Sequence, residues 1–165
     1  MNGHWNRKDI AVDASLVRFL QRPVMILVGT VDPAARPEIG RGVGSIVRPE
    51  AGQIDLLVSR WQWPATIANV ESAGRAAATF SRPADYETYQ IKGRARLRAA
   101  GAAEAELAHA YCRDTLTALM ELGIAPELVA HWHSARDLVV VSLSVDEVFS
   151  QTPGPLAGQR IGGSA

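Results

Sequence analysis

The sequence predicts a mainly β fold with flanking helices, a closed antiparallel barrel of about six strands. Three observations carry this expectation. Short β-branched or alternating runs recur between turn signals, and a helix-like segment, PATIANVESAG, separates the third run from the fourth. The stretch from Arg75 to Leu97, RAAATFSRPADYETYQIKGRARL, then reads as strand, turn and long strand. Strands this apolar need partners on both edges, and closure supplies them.

The elements follow in chain order. Residues 1–12 are mixed in character and are expected to form a mobile arm. Asp13 suits the N-cap of a short helix carrying Leu16, Val17, Phe19 and Leu20 on one side, ended by Pro23. Val24–Val31 is nearly all apolar and reads as a buried strand. After the turn at 32–37, Glu38–Val47 contains Gly40, Gly42 and Gly44, which predicts tight curvature or close approach of another group to the backbone. Pro49–Gly52 is a turn and Ile54–Ser59 the next strand. Pro64 suits a first helical turn, Ile67 and Val70 share a face, and Gly74 supplies a stop.

Ala76–Phe80 and Tyr86–Leu97 are the following strands. In the second, Tyr89, Ile91, Gly93, Ala95 and Leu97 face one way and Thr88, Gln90, Lys92, Arg94 and Arg96 the other. Residues 102–122 predict a helix with a stripe of Leu107, Tyr111, Leu116, Leu119 and Met120, closed by Gly123. A second short helix is expected over Ala125–Trp132, and Leu138–Val148 is the last strand. The tail from Ser150 is turn-rich, with flexibility expected over 155–165.

The chain has 165 residues, 47% of them hydrophobic, which suits one soluble domain spanning 1–165. Seventeen basic and 17 acidic residues balance to zero net charge. That argues against a general nucleic-acid binder and leaves little long-range repulsion to oppose self-association. The single cysteine, Cys112, cannot form an intrachain disulfide and reads as a buried small hydrophobe. With no signal-like N-terminal run and no apolar stretch of about 20 residues, the expected location is the cytoplasm, without membrane contact.

The strand around Arg41, the segments ANVESAGRAAATFS and YQIKGRARL, and the ending VFSQTPGPLAG, in this order, resemble the pyridoxamine 5'-phosphate oxidase-like flavin-binding split barrels. The likeness covers about Val24 to Thr152. It implies a homodimer with flavin mononucleotide (FMN) in a groove between subunits, and a small-molecule substrate. Arg41 matches the basic residue on the second strand that reaches the flavin phosphate. Ser59 and Arg60 fall near the phosphate region, and Thr66 near the start of the following helix. Thr88 and Gln90 match the region that contacts the ring. A basic pair that the family carries at the start of that helix is replaced here by Ala65 and Thr66. The substrate-phosphate residues of true pyridoxamine phosphate oxidases have no counterpart near the C-terminus, so vitamin B6 oxidation is not expected.

Each candidate also has a plain structural reading. Arg41 is either an exposed strand charge or a phosphate anchor, and Arg60 either a solvated loop charge or a second anchor. Trp61 and Trp63 suit core or dimer contacts, with stacking on the ring as the alternative. Gln90 lies on a polar strand face, at either a cofactor edge or solvent. His131-Trp132-His133, with His109 and Cys112, hints at a metal, but no further ligand completes a pattern, so surface histidines and no metal are expected. No nucleophile–base arrangement is present and no catalytic residue is assigned. Two readings therefore stand: an FMN oxidoreductase, or a non-catalytic module binding flavin, haem or a deazaflavin. In the haem case His109, His131 or His133 is the candidate ligand. An empty structural dimer is the third reading.

Overall fold

A computed structural model describes residues 13–161. The expected arm over 1–12 and the end of the tail, 162–165, lie outside the described residues. Helix α1 (Ala14–Leu20) starts where Asp13 Oδ1 accepts the Leu16 amide at 2.7 Å, and it turns Leu16, Phe19 and Leu20 into the core. Strands β1 (Met25–Val31), β2 (Pro37–Arg48) and β3 (Gln53–Ser59) follow. Helix α2 (Pro64–Ala73) opens on Pro64 and stops at Gly74, whose φ of 62° is left-handed. Then come β4 (Arg75–Ser81), β5 (Thr88–Ala99), helices α3 (Ala102–Glu121) and α4 (Pro126–Ala130), β6 (Leu138–Ser150) and β7 (Arg160–Ile161).

All strand pairs are antiparallel, in the order β3-β2-β1-β4-β5-β6-β7, and β3 also pairs with β6. Six strands thus close into the expected barrel. Along each wall one face is buried and the next residue points out: Ile26 and Val28 on β1, Ala76, Ala78 and Phe80 on β4, and Ile91 and Ala95 on β5 face the interior. Helix α2 contributes Ile67 and Val70 to the same core, and Asn69 Nδ2 donates to Thr30 Oγ1 at 3.1 Å. Strand β3 is buried on both faces from Ile54 to Ser59. Its outer side lies beneath α3: a Cβ at Gly44 of β2 would stand 2.7 Å from Leu107 and 3.1 Å from Leu57.

Asp55, fully buried on β3, holds the closing seam. Its Oδ1 accepts from Gln53 Nε2 and Ser142 Oγ, both at 2.7 Å, and its Oδ2 from Arg48 Nε at 3.1 Å and Arg98 Nη2 at 3.0 Å. Arg98 also reaches Glu104 at 2.8 Å, and Glu104 accepts the Gly101 amide at the start of α3. Burial pushes the Asp55 carboxyl up, but the donors from Ser142, Arg98, Gln53 and Arg48 outweigh it and hold the group below its ordinary 3.8.

The second constraint is Gly93. Pairing between β5 and β6 slips after Lys92↔Glu147 to Gly93↔Val145, leaving Asp146 as the extra residue. At this bulge a Cβ on residue 93 would lie 1.8 Å from the Ser144 carbonyl oxygen, so only glycine fits.

Several expectations shift. The long strand starts at Thr88 rather than Tyr86, because Tyr86 sits in the preceding turn with φ 61°. Thr88 is 9% exposed rather than solvent-facing. The buried stripe of α3 is Ala108, Tyr111, Thr115 and Leu119, while Met120 is 50% exposed. The turn from β6 into the tail brings back a strand the sequence did not suggest, β7, paired to Val148 and Phe149. The glycines of β2 do mark close approach, but by Thr66, Ile26 and Leu107 of the chain itself. Among the described residues no helix is long and apolar enough to cross a membrane.

Two outcomes test this frame by chemical denaturation. Gly93→Ala, with nowhere to place its methyl, loses at least about 3 kcal/mol. Asp55→Ala strands Gln53, Ser142 and two guanidinium groups and loses about 3 kcal/mol at neutral pH. Because the folded Asp55 pKa is depressed, its contribution is present above the ordinary 3.8 and fades as pH falls below it. The gap between wild type and Asp55→Ala should narrow there.

Candidate functional site

Cross-strand register places one row of side chains on the outer wall of the barrel. Arg41 of β2 pairs with Leu27 of β1, Leu27 with Thr79 of β4, and Thr79 with Gln90 of β5. Directly opposed residues share a face, so all four point outward. At about 4.8 Å per strand the Arg41 and Gln90 backbones stand about 14 Å apart. Gln90 continues the row to Phe149 of β6 and donates from Nε2 to Thr79 Oγ1 at 3.2 Å. The adjacent row reads Ile39, Gly29, Ala77, Lys92. Gly29 and Ala77 lift almost nothing off the sheet, so the wall there lies at backbone level between Leu27, the 60%-exposed Ile39 and Lys92. Lys92 Nζ lies 4.8 Å over the Phe149 ring.

The Arg41 end is the most distinctive part. Its guanidinium lies 4.6 Å over the Trp132 ring and is half-buried, and burial lowers its pKa from the ordinary value. Among the described residues it has no carboxylate partner. A partly desolvated cation without a counter-charge is a ready anchor for an anion. Next to it His133 packs edge-on to Tyr111 at 5.8 Å, with Nδ1 buried and unpartnered. Burial, reinforced by the Arg41 charge, brings the His133 imidazole down to about 4, so it is neutral at physiological pH. Tyr111, beneath, donates its hydroxyl to the Val24 carbonyl.

Trp132 and His133 are positioned by the segment between α4 and β6, which is tied to the loop after β3. Ser59 Oγ donates to the Arg136 carbonyl at 2.6 Å and accepts the Gln62 amide at 3.2 Å. Gln62 Nε2 donates to the His131 carbonyl at 2.6 Å, and the Arg60 amide to the Asp137 carbonyl at 2.9 Å. Ser59, fully buried, therefore serves as a joint between two loops.

The remaining candidates scatter. Thr66 is fully buried with its hydroxyl unpartnered, and a Cβ at Gly40 would stand 2.5 Å from its Oγ1. Thr66 thus packs on the inner face of β2 at Gly40, while Arg41, the next residue, points outward. The chain does not bring these two together. The Arg60 side chain pairs with Glu71 at 3.5 Å on the surface. Trp61 is 55% exposed with Arg136 stacked 4.6 Å over its ring. Thr88 Oγ1 donates to the Tyr86 carbonyl at 2.8 Å and lies 2.8 Å from Ser81 Oγ, so its hydroxyl is used locally. Of the seven candidates only Arg41 and Gln90 share the outer row.

Leu27, Thr79 and Trp132 were missed as site residues, and His133 was named only as a candidate haem ligand. The HWH triplet was the available signal, but His131 is exposed while His133 turns inward, so the two diverge and His133 is not a surface histidine. Among the described residues no group of three His, Cys, Asp or Glu side chains is placed to hold a metal. Cys112 is half-buried against the core, and burial pushes its thiol up.

No family model and no curated protein matches the sequence. Solved structures do match. HupZ of Group A Streptococcus superposes with a TM-score of 0.53 at 16% identity, covering 89% of this chain and 100% of its own. A putative pyridoxamine 5'-phosphate oxidase from Lactobacillus delbrueckii gives 0.53 at 14% identity, over 84% and 93%. The fold is a pyridoxamine 5'-phosphate oxidase-like split barrel. General Stress Protein 26 of Bacillus anthracis superposes on the same split barrel with a TM-score of 0.51 at 9% identity, over 88% and 93%. At these identities the likeness shows the fold alone.

The depressed His133 pKa gives this site a pH signature. Between 6.5 and about 4 the unfolded chain takes up a proton that the folded imidazole refuses, so stability is full above 6.5 and falls as pH drops through that window. His133→Gln should flatten thermal-melting temperature against pH between 6.5 and about 4.

Proposed function

We propose that the protein is a flavin-binding split barrel whose ligand lies along the outer row from Arg41 to Gln90. The observation that carries this reading is the row itself. A half-buried guanidinium, without a carboxylate partner among the described residues, stands at one end and a carboxamide about 14 Å away, with a backbone-level strip between them. The donor set suits FMN: Arg41 for the phosphate, Leu27 and the Gly29–Ala77 strip for the flat ring system, and Gln90 with Thr79 for its polar edge. FMN when bound would supply electron-transfer chemistry. The chain's own part is to hold the phosphate, seat the ring and exclude water. A second copy of the chain laid over the row would complete the enclosure, and the exposed Ile39 beside Arg41 suits such a contact. An oxidoreductase acting on a small molecule is the activity we assign to this arrangement.

A second reading has one observation in its favour. His133 is neutral, with a buried and unpartnered Nδ1 beside Arg41. A neutral imidazole next to a cation also suits a non-catalytic module that binds haem, with Arg41 facing a carboxylate of the ligand. His109 and His131 are exposed and lack that setting. A deazaflavin would use the same row as FMN.

The absorption spectrum of the purified protein separates flavin from haem. For the anchor, FMN and riboflavin are titrated against three proteins. Arg41→Ala should weaken FMN by at least about tenfold and leave riboflavin, which has no phosphate, within about twofold. Thr66→Val, on the other side of the strand, should match wild type for both. Equal FMN affinity in Arg41→Ala and wild type would remove Arg41 from the site.

A further inference from the structure

Farther along the outer face of β5, beyond Lys92, a second concentration of positive charge stands without an assigned role. Arg75 of β4 and Arg94 of β5 are directly opposed Cα partners, and Arg96 follows Arg94 on the same outer face. Like charges placed opposite one another across a sheet are destabilising, so this arrangement works against the fold that carries it. Arg75 reaches Asp146 at 3.9 Å. Arg94 and Arg96, both exposed, have no ion-pair partner among the described residues.

The carboxylates nearby are already engaged. Asp55, in the same row as Arg96 and Ser142, is held by Arg48 and Arg98. Glu71, on the rim, pairs with Arg60 at 3.5 Å. Both arginines open onto a concavity of about 640 Å³ whose wall also carries Ser142, Ser144, Gln53 and the C-terminal end of α2. Ser142 and Gln53 donate to Asp55, so Ser144, the Cα partner of Arg94, is the hydroxyl facing the arginines with no such commitment.

We infer that this concavity binds the phosphate group of a soluble small molecule, a phosphomonoester or a diphosphate, with Arg94 and Arg96 as forks and Ser144 as a third donor. The two arginines arise about 7 Å apart along one strand, and their long side chains can converge on one such group. A bound dianion would relieve the crowding of positive charge. The site is separate from the row from Arg41 to Gln90 and does not depend on what that row binds.

The test uses the full chain and inorganic pyrophosphate, followed by isothermal titration at low salt. Wild type should bind saturably, with affinity falling as salt is raised. Arg94→Ala/Arg96→Ala should weaken binding at least about tenfold, and Arg94→Lys/Arg96→Lys, which keeps the charge, should retain saturable binding. No saturable binding to wild type, or unchanged affinity in the double alanine variant, would each overturn the assignment.

Discussion

The buried carboxylate of Asp55 sits where the barrel must close. Strand β3 is buried on both faces, so a charge there survives only if every lone pair is used, and four donors from β2, β3, β5 and β6 use them. Through Arg98 the same group reaches Glu104 and the first turn of α3. One side chain therefore links the closing strand pair, both of its neighbours and the helix that covers the seam. An apolar residue of similar size would pack there without specifying which strands meet. The donor set of Asp55 suits only one register, in which Ser142 lies opposite it.

Closure in that register determines what the outer wall presents. The bulge at Gly93 lets β5 and β6 bend past each other while β5 keeps Gln90 and Lys92 outward. On the opposite side of the sheet, Gly40 accepts Thr66 into the interior, and strict alternation sends Arg41 out beneath Trp132. The candidate site is thus the outer reflection of the inner packing, because a slip of one residue in β2 would bury the guanidinium and expose the glycine. The two loops joined at Ser59 set Trp132 against Arg41, so the joint between β3 and β6 also shapes the Arg41 end of the row.

Much of this was legible in the chain. Asp13, Pro64 and Gly74 mark helix ends by local chemistry alone, and the apolar runs of β1, β3 and β6 mark strands, but only β3 is covered on both faces along its length while β1 buries alternate residues. Alternation along β5 separated Gln90 from Ile91 correctly. The same logic was applied to α3 with a stripe shifted toward Leu116 and Met120, because periodicity names a face only to within a residue or two. Helix α3 turns Thr115 inward where an apolar residue was expected. Thr88 illustrates a different limit. Its outward position was foreseeable, but its burial depends on Thr152, 64 positions later, whose Oγ1 accepts the Thr88 amide.

The sequence by itself determined the barrel class and the order of the helices and first six strands, which follow from local periodicity, while Arg41 and Gln90 entered as candidates through the family resemblance. Tertiary structure alone decided that Thr66 lies on the wrong side of β2 to join Arg41. It also decided that Ser59 is a joint between loops, and that Trp132 and His133 pack at the Arg41 end of the row. Those facts depend on register and on contacts between segments about 70 to 90 residues apart, such as Ser59 with Arg136 and Arg41 with Trp132. Such pairings are set by global closure of the barrel, and no local pattern in the chain encodes them.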